Sequence, residues 1–328
     1  LFVKPIEIPF HVKQYDYLFK RLIASSPQKK AVEAQLARYM SGYRGEAALG
    51  YPLHFVPHEH LLFHNLRFPD GTNFFQLDFL VLTRAYLLTL EVKNLKGKIT
   101  MNGHQLIRSL NDEEEAFPDP VIQSLRHQCQ LNDWLSRKNF GGLPVHSLVV
   151  FGAKSVLKFE DKTRSVQCAM PDAVPFHIAN LSDRLQKDVL SESECGQLKH
   201  LLLADHQPLE FDLLNRAKVS RSELIRGVLC PACGHFSVIR SHGTWLCMSC
   251  AHRSKKIGTD ALIEYRHLLG SSITNRSCRD FFGLDSDSIA RKLLTAHHLP
   301  FTGSTRDRVY LINDQALEQL KKRGDIIT

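Results

Sequence analysis

The sequence predicts an α/β protein followed by two small C-terminal modules, and three observations lead there. Between residues 61 and 92 three short apolar runs follow one another, with helical patterns before and after them. Two Cys-x-x-Cys pairs, Cys230/Cys233 and Cys247/Cys250, stand thirteen residues apart. From residue 221 onward Lys and Arg number 16 against 10 Asp and Glu, so that stretch holds six of the eight net positive charges of the 328-residue chain.

In chain order, residues 29 to 56 read mostly helical, with Val32, Leu36, Tyr39 and Met40 at helical spacing, a break at Gly42 and a second helix from about Arg44. Leu61 to Phe68, Phe74 to Thr83 and Tyr86 to Val92 read as a three-strand meander punctuated by Pro69-Asp70-Gly71 and Thr83-Arg84-Ala85. Lys96-Gly97-Lys98 turns into a fourth strand. The acidic run Asp112 to Glu115 reads as an exposed loop, because like charges stay solvated. Asp119 caps a helix that Pro120 opens, with Val121, Leu125, Leu131, Trp134 and Leu135 on its buried side. Val145 to Phe151 is a buried strand, and residues 181 to 215 read helical. Charge balance and cysteine spacing change near 220 to 228. The expected division is therefore an N-terminal helical extension (1–40), an α/β domain with its own helical extension (41–220), a cysteine module (228–256) and a helical module (257–328).

With 43% hydrophobic residues the chain can bury a full core. Charged residues such as Lys4, Glu7 and Lys13 interrupt the first thirty positions, and no run is long enough to cross a membrane. The expected compartment is the cytoplasm, where paired Cys-x-x-Cys spacings favour a metal over disulfides.

Asp78, Glu91 and Lys93 sit at the edges of two otherwise apolar strands. If the hairpin turns at Arg84, positions whose numbers sum to about 169 face each other, which brings Asp78 close to Glu91. Alternation projects Glu91 and Lys93 from one face. Two converging carboxylates repel unless a cation lies between them, and oxygen ligands suit Mg²⁺ or Mn²⁺, with the lysine beside an attacking water. The Glu-x-Lys triplet is weak alone. Glu160-Asp161-Lys162 repeats it in a polar stretch with no partner aspartate, and a salt bridge between neighbouring strands is the plain alternative.

Gly42-Tyr-Arg-Gly-Glu46, Phe75-Gln-Leu-Asp78, Leu90-Glu-Val-Lys-Asn94-Leu-Lys-Gly97 and Pro120-Val-Ile-Gln123 together resemble the successive motifs of the nuclease-related domain (NERD) family, over roughly residues 40 to 155. The resemblance implies a restriction-endonuclease-like α/β core of the PD-(D/E)xK type, with a central mixed sheet flanked by helices. It also implies a Mg²⁺ site on Asp78 and Glu91 served by Lys93, with Glu46 and Gln123 matching the acidic residue before the strands and the polar residue after them. Read from the residues alone, Glu46 near a helix start would favour the helix dipole. Gln123 shares a helical face with Arg126, His127 and Gln130, facing either solvent or phosphate. His54, His58, His60 and His64 fit no ligand spacing and read as core or surface residues.

The four cysteines at 230, 233, 247 and 250 have zinc-ribbon spacing, and four thiolates close a tetrahedral structural Zn²⁺ site, with Phe236, Val238, Ile239, Trp245 and Leu246 available as a small core. Cys129, Cys168, Cys195 and Cys278 lack ligand spacing. Residues 259 to 313 read helix, helix, helix, hairpin, an order that resembles a winged helix-turn-helix. Ser288, Arg291, Lys292 and Thr295 on the third helix would then enter the major groove of DNA, with Arg306 and Arg308 on phosphates. The combined expectation is a Mg²⁺-dependent nucleic-acid hydrolase with DNA-binding modules. The competing reading is a nuclease-fold DNA-binding or regulatory protein that no longer cuts.

Overall fold

The computed structural model describes residues 2–304 and 307–326, and the chain divides into two compact units. Unit 1 takes residues 1–9 and 38–209, and unit 2 takes 10–37 and 210–328.

The centre of unit 1 is a six-stranded mixed sheet of β1 (Phe2–Lys4), β2 (Leu61–Pro69), β3 (Phe74–Leu82), β4 (Leu87–Lys93), β8 (Val145–Phe151) and β10 (Cys168–Ala169), in the order β1-β2-β3-β4-β8-β10. The meander β2-β3-β4 is antiparallel, and β4 pairs parallel with β8. The hairpin turn is pinned by the Thr83 hydroxyl, which accepts from the N–H groups of Ala85 and Tyr86. That turn fixes Phe79 opposite Leu90 and Leu80 opposite Thr89, the register expected from the sequence.

Strand alternation buries both faces. Leu62, Phe79, Val81, Leu88, Leu90, Leu148 and Val150 form a core with the helices Gly50–Leu53 and Val174–Arg184. Phe63, Leu66, Phe68, Leu80, Leu82 and Leu87 point the other way, onto Leu131, Trp134 and Leu135 of the helix Pro120–Arg137. A sheet covered on both faces explains why its strands read as continuous apolar runs. A second sheet, β7-β6-β5-β9, joins β5 (Gly97–Met101), β6 (Gln105–Leu110), β7 (Glu113–Pro118) and β9 (Ser155–Phe159).

Five local expectations are corrected here. The helix Lys29–Ala47 runs unbroken through Gly42, where a single glycine costs only about 1 kcal/mol. Glu46 therefore lies near the end of that helix, not at a start, and its negative charge gains nothing from the dipole there. The acidic run is exposed as expected, but it is a strand: Asn111 (φ 53°) and Asp112 (φ 64°) form a two-residue hairpin turn that pairs Leu110 with Glu113. Residues 181–215 are not one helical stretch, because Glu192–Ala204 and Leu213–Ala217 stand apart from Val174–Arg184, and Leu125 is exposed.

In unit 2, antiparallel strands Val238–Ser241, Thr244–Cys247 and Arg253–Ser254 make a small ribbon on Trp245, with Ile239 exposed rather than in its core. The helices Lys256–Leu269, Asn275–Phe282 and Asp287–Ala296 follow, with a sheet in which Val309–Leu311 lies between Ser272–Thr274 and Phe301–Thr302. Arg21, fully buried on the helix Phe10–Arg21, forks onto Glu264 at 2.8 and 2.7 Å and stacks on Phe281. Such a pair is costly to bury and strongly destabilising to break, which ties the first helix to this unit.

Candidate active site and candidate metal centre

The acidic site forms where β3 and β4 meet the helix Pro120–Arg137. Glu91 and Lys93 share parity with Leu87, so they face that helix. Lys93 Nζ donates to Glu91 Oε1 at 2.7 Å and to Gln123 Oε1 at 2.9 Å. Asp78 Oδ2 accepts the backbone N–H of Val92 at 2.8 Å, which fastens it beside Glu91. On the other side of β3, Asn65 stands across from Asp78 and takes φ 54°, interrupting the ladder between the pairs His64–Phe79 and Leu66–Leu77.

Electrostatics separates the two carboxyls. Desolvation, followed by the negative charges of Glu91 and Glu46, raises the Asp78 carboxyl well above its usual range. Burial pushes Glu91 up as well, but hydrogen bonds from His127 and Lys93 and the lysine charge outweigh it and hold Glu91 below its usual range. Asp78 thus feels two further carboxylates, Glu91 and Glu46, and a cation beside it would relieve the repulsion. Carboxylate oxygens are the donors a hard divalent ion such as Mg²⁺ takes, so the residues fit that group.

The helix contributes more than its own sequence predicts. His127 Nδ1 lies 3.3 Å from Glu91 Oε2, one turn beyond Gln123, so these two side chains turn toward the strands while Arg126 stays exposed. Its signal was visible as the i, i+4 spacing of Gln123 and His127 but had no partner until the strand register was known. His64, buried as expected for a core histidine, bonds Glu46 Oε2 through Nε2 at 2.7 Å and orients that carboxylate. Gly45 explains the glycine of the first motif: a Cβ there would sit 2.4 Å from Asn94 Cβ. Asn94, directly after Lys93, donates to Ser41 O at 2.7 Å and so latches the helix carrying Glu46 to the end of β4. The second Glu-x-Lys copy stays at the surface, where Asp161 caps a short 3-10 helix.

Among the described residues, the group of three or more metal-type ligands that converges within 4.8 Å is Cys230, Cys233, Cys247 and Cys250. Sγ atoms of Cys230 and Cys250 are 3.7 Å apart and those of Cys233 and Cys247 3.6 Å. Thiolates at about 2.3 Å from zinc in a tetrahedron are about 3.8 Å from one another, so the four fit a structural Zn²⁺. Each pair ends in the same turn: the N–H of Gly234 (φ 72°) bonds Cys230 O and that of Ala251 (φ 58°) bonds Cys247 O, both at 2.9 Å. A hydrogen bond from the Ser237 hydroxyl leads the effects that hold the Cys247 thiol down at about 5.

Ser288, Arg291, Lys292 and Thr295 are exposed along one flank of the helix Asp287–Ala296, while Ala290, Leu293 and Leu294 are buried. Arg308 stacks on Phe301 at 4.2 Å, and with Arg276 and Arg291 it lines a cavity of about 640 Å³ that also holds Asp287 and Asp307. Arg306 lies outside the described residues. Among the described residues no helix is long and apolar enough to cross a membrane.

Residues 41–152 match the family model of the nuclease-related domain. No curated protein matches the chain. A solved structure, protein VC1899 from Vibrio cholerae, aligns at 12% identity and a TM-score of 0.24 over 55% of this chain and 52% of that one. The chain thus spans about half the length of that structure.

Proposed function

We propose, from the premise that residues 41–152 are a nuclease-related domain, that the protein is a Mg²⁺-dependent hydrolase of nucleic-acid phosphodiesters. The observation that carries this reading is Lys93 bridging Glu91 and Gln123 with Asp78 fastened at Val92 beside them, and with the charges of Glu91 and Glu46 felt at Asp78. Asp78 and Glu91 would hold the cation, which when bound polarises the phosphodiester and stabilises the leaving oxygen. Lys93 has three N–H donors. Glu91 and Gln123 take two, which leaves the third for the attacking water or a phosphoryl oxygen. His127 orients Glu91, and His64 orients Glu46.

The second unit is read as a zinc ribbon followed by a winged helix-turn-helix that binds DNA. Three helices with a three-stranded sheet support this, as does the exposed row Ser288, Arg291, Lys292 and Thr295, with Arg308 on the hairpin. Paired Cys-x-x-Cys spacings, which favour a metal over disulfides, suit a reducing compartment such as the cytoplasm. The test incubates the purified chain with linear, nicked and single-stranded DNA plus Mg²⁺ or Mn²⁺, beside Asp78→Ala and Lys93→Ala. Cleavage by the parent chain alone supports the assignment. Equal cleavage by all three overturns it, and DNA binding without cleavage points to a scaffold that no longer cuts.

A further inference from the structure

We infer that the cavity between the cysteine-ribbon hairpin and the helix Asp287–Ala296 is a phosphate-binding pocket for a nucleic-acid strand, held by Arg240, Lys255 and Lys292. The cavity measures about 570 Å³, and Trp245, Ile289 and Leu293 form its apolar wall. His242 and His297 also line it, and among the described residues no carboxylate does. That separates it from the paired arginines of this unit. Arg21 sits on Glu264, Arg266 on Glu210, Arg226 on Asp280, and the cavity at Arg276, Arg291 and Arg308 contains Asp287 and Asp307.

Like charges gathered in a concave place cost free energy unless an anion accompanies them, and apolar walls focus their field into the cleft. An extended polyanion fits better than an isolated ion for a positional reason. Lys292 belongs both to the cavity and to the exposed row Ser288, Arg291 and Thr295, so a strand on the helix flank continues into the pocket. Arg240, exposed on the strand Val238–Ser241 with its guanidinium 5.2 Å from the Trp245 ring, and Lys255, exposed before the helix Lys256–Leu269, then take successive phosphates. The ribbon thereby becomes a backbone-reading element and not only a cross-brace. The inference rests on nucleic acid being the partner, but not on catalysis.

The experiment measures affinity for labelled single-stranded and duplex DNA over a salt series without Mg²⁺. It compares the parent chain, Arg240→Ala/Lys255→Ala, the milder Arg240→Gln/Lys255→Gln, and a charge-matched control Lys30→Ala/Arg221→Ala. Zinc content and circular dichroism confirm that each variant folds. Removing one phosphate-binding cation lowers the salt slope by about one, so both ribbon pairs should bind with a log–log slope shallower by about two, alike for every sequence. The control should keep the parent slope. A ribbon slope equal to the control's, or a parent chain that binds no DNA, overturns the proposal. So does calorimetry in which the ribbon pairs lose inorganic phosphate binding while DNA binding is unchanged, since the site would then serve free phosphate. Absence of cleavage by the parent chain would remove the hydrolase reading and leave this one standing.

Discussion

The two candidate metal centres are built in opposite ways. The cysteine site draws all four ligands from 21 consecutive residues, in two like turns that each present a pair of thiols. The acidic site draws on a helix end at Glu46, two strands at Asp78 and Glu91, and a second helix at Gln123 and His127. The first is closed, since four thiolates complete a tetrahedron. The second is open, with one lysine N–H unassigned and the Asp78 carboxyl raised well above its usual range by burial and by the charges of Glu91 and Glu46. A site made by local turns depends on its ion for structure. One made by packed elements borrows its structure from the core and can leave a position for substrate.

Metal removal is the strongest way to break this comparison. Apparent zinc affinities of cysteine modules are about 10 to 16 kcal/mol, so stripping zinc should unfold the ribbon. Amide exchange would read this as lost protection between residues 230 and 254, with unit 1 unchanged. Removing Mg²⁺ should leave protection intact throughout. Loss of protection around Asp78 on Mg²⁺ removal would put both sites in one class.

Next in size, Lys93→Ala should lower single-turnover cleavage by about 10²- to 10⁴-fold, the usual worth of a positioned proton-transfer group. His127→Ala sharpens the contrast further. Loss of a group that orients a ligand costs about 10- to 100-fold in metal affinity or activity, so Mg²⁺ titration should shift to higher concentration while zinc content stays at one per chain. An unshifted titration would make His127 a packing residue.

The smallest effects separate two glycines of one helix. Gly42 faces open space, and Gly42→Ala should stabilise by up to about 1 kcal/mol through helix propensity. Gly45→Ala should instead destabilise by about 1 to 3 kcal/mol, because its methyl would strike Asn94. Urea unfolding of the pair decides whether the close approach of helix and strand end is required.

Much was legible in the sequence because it was set by short-range rules. The β3–β4 register followed from a turn at residues 83–86, the cap at Asp119 from one side chain, and the four cysteines from spacing alone. The strand at Glu113–Pro118 was not legible, because its charges argue for solvation and only its neighbour β6 supplies the ladder. Glu46 was placed on the wrong end of its helix, since a lone glycine signals a break that packing can override.

The sequence by itself determined the identity of the polar residues, the strand register that brings Asp78 beside Glu91, and the ligand set of the cysteine centre, all consequences of period, turn and spacing. Only the tertiary structure decided that His127 and Gln123 face Glu91 and Lys93, that His64 holds Glu46, and that Arg240, Lys255 and Lys292 share a cavity without a carboxylate. Those pairings join residues far apart in the chain, and which helix face meets which strand is fixed by core packing rather than by any local preference.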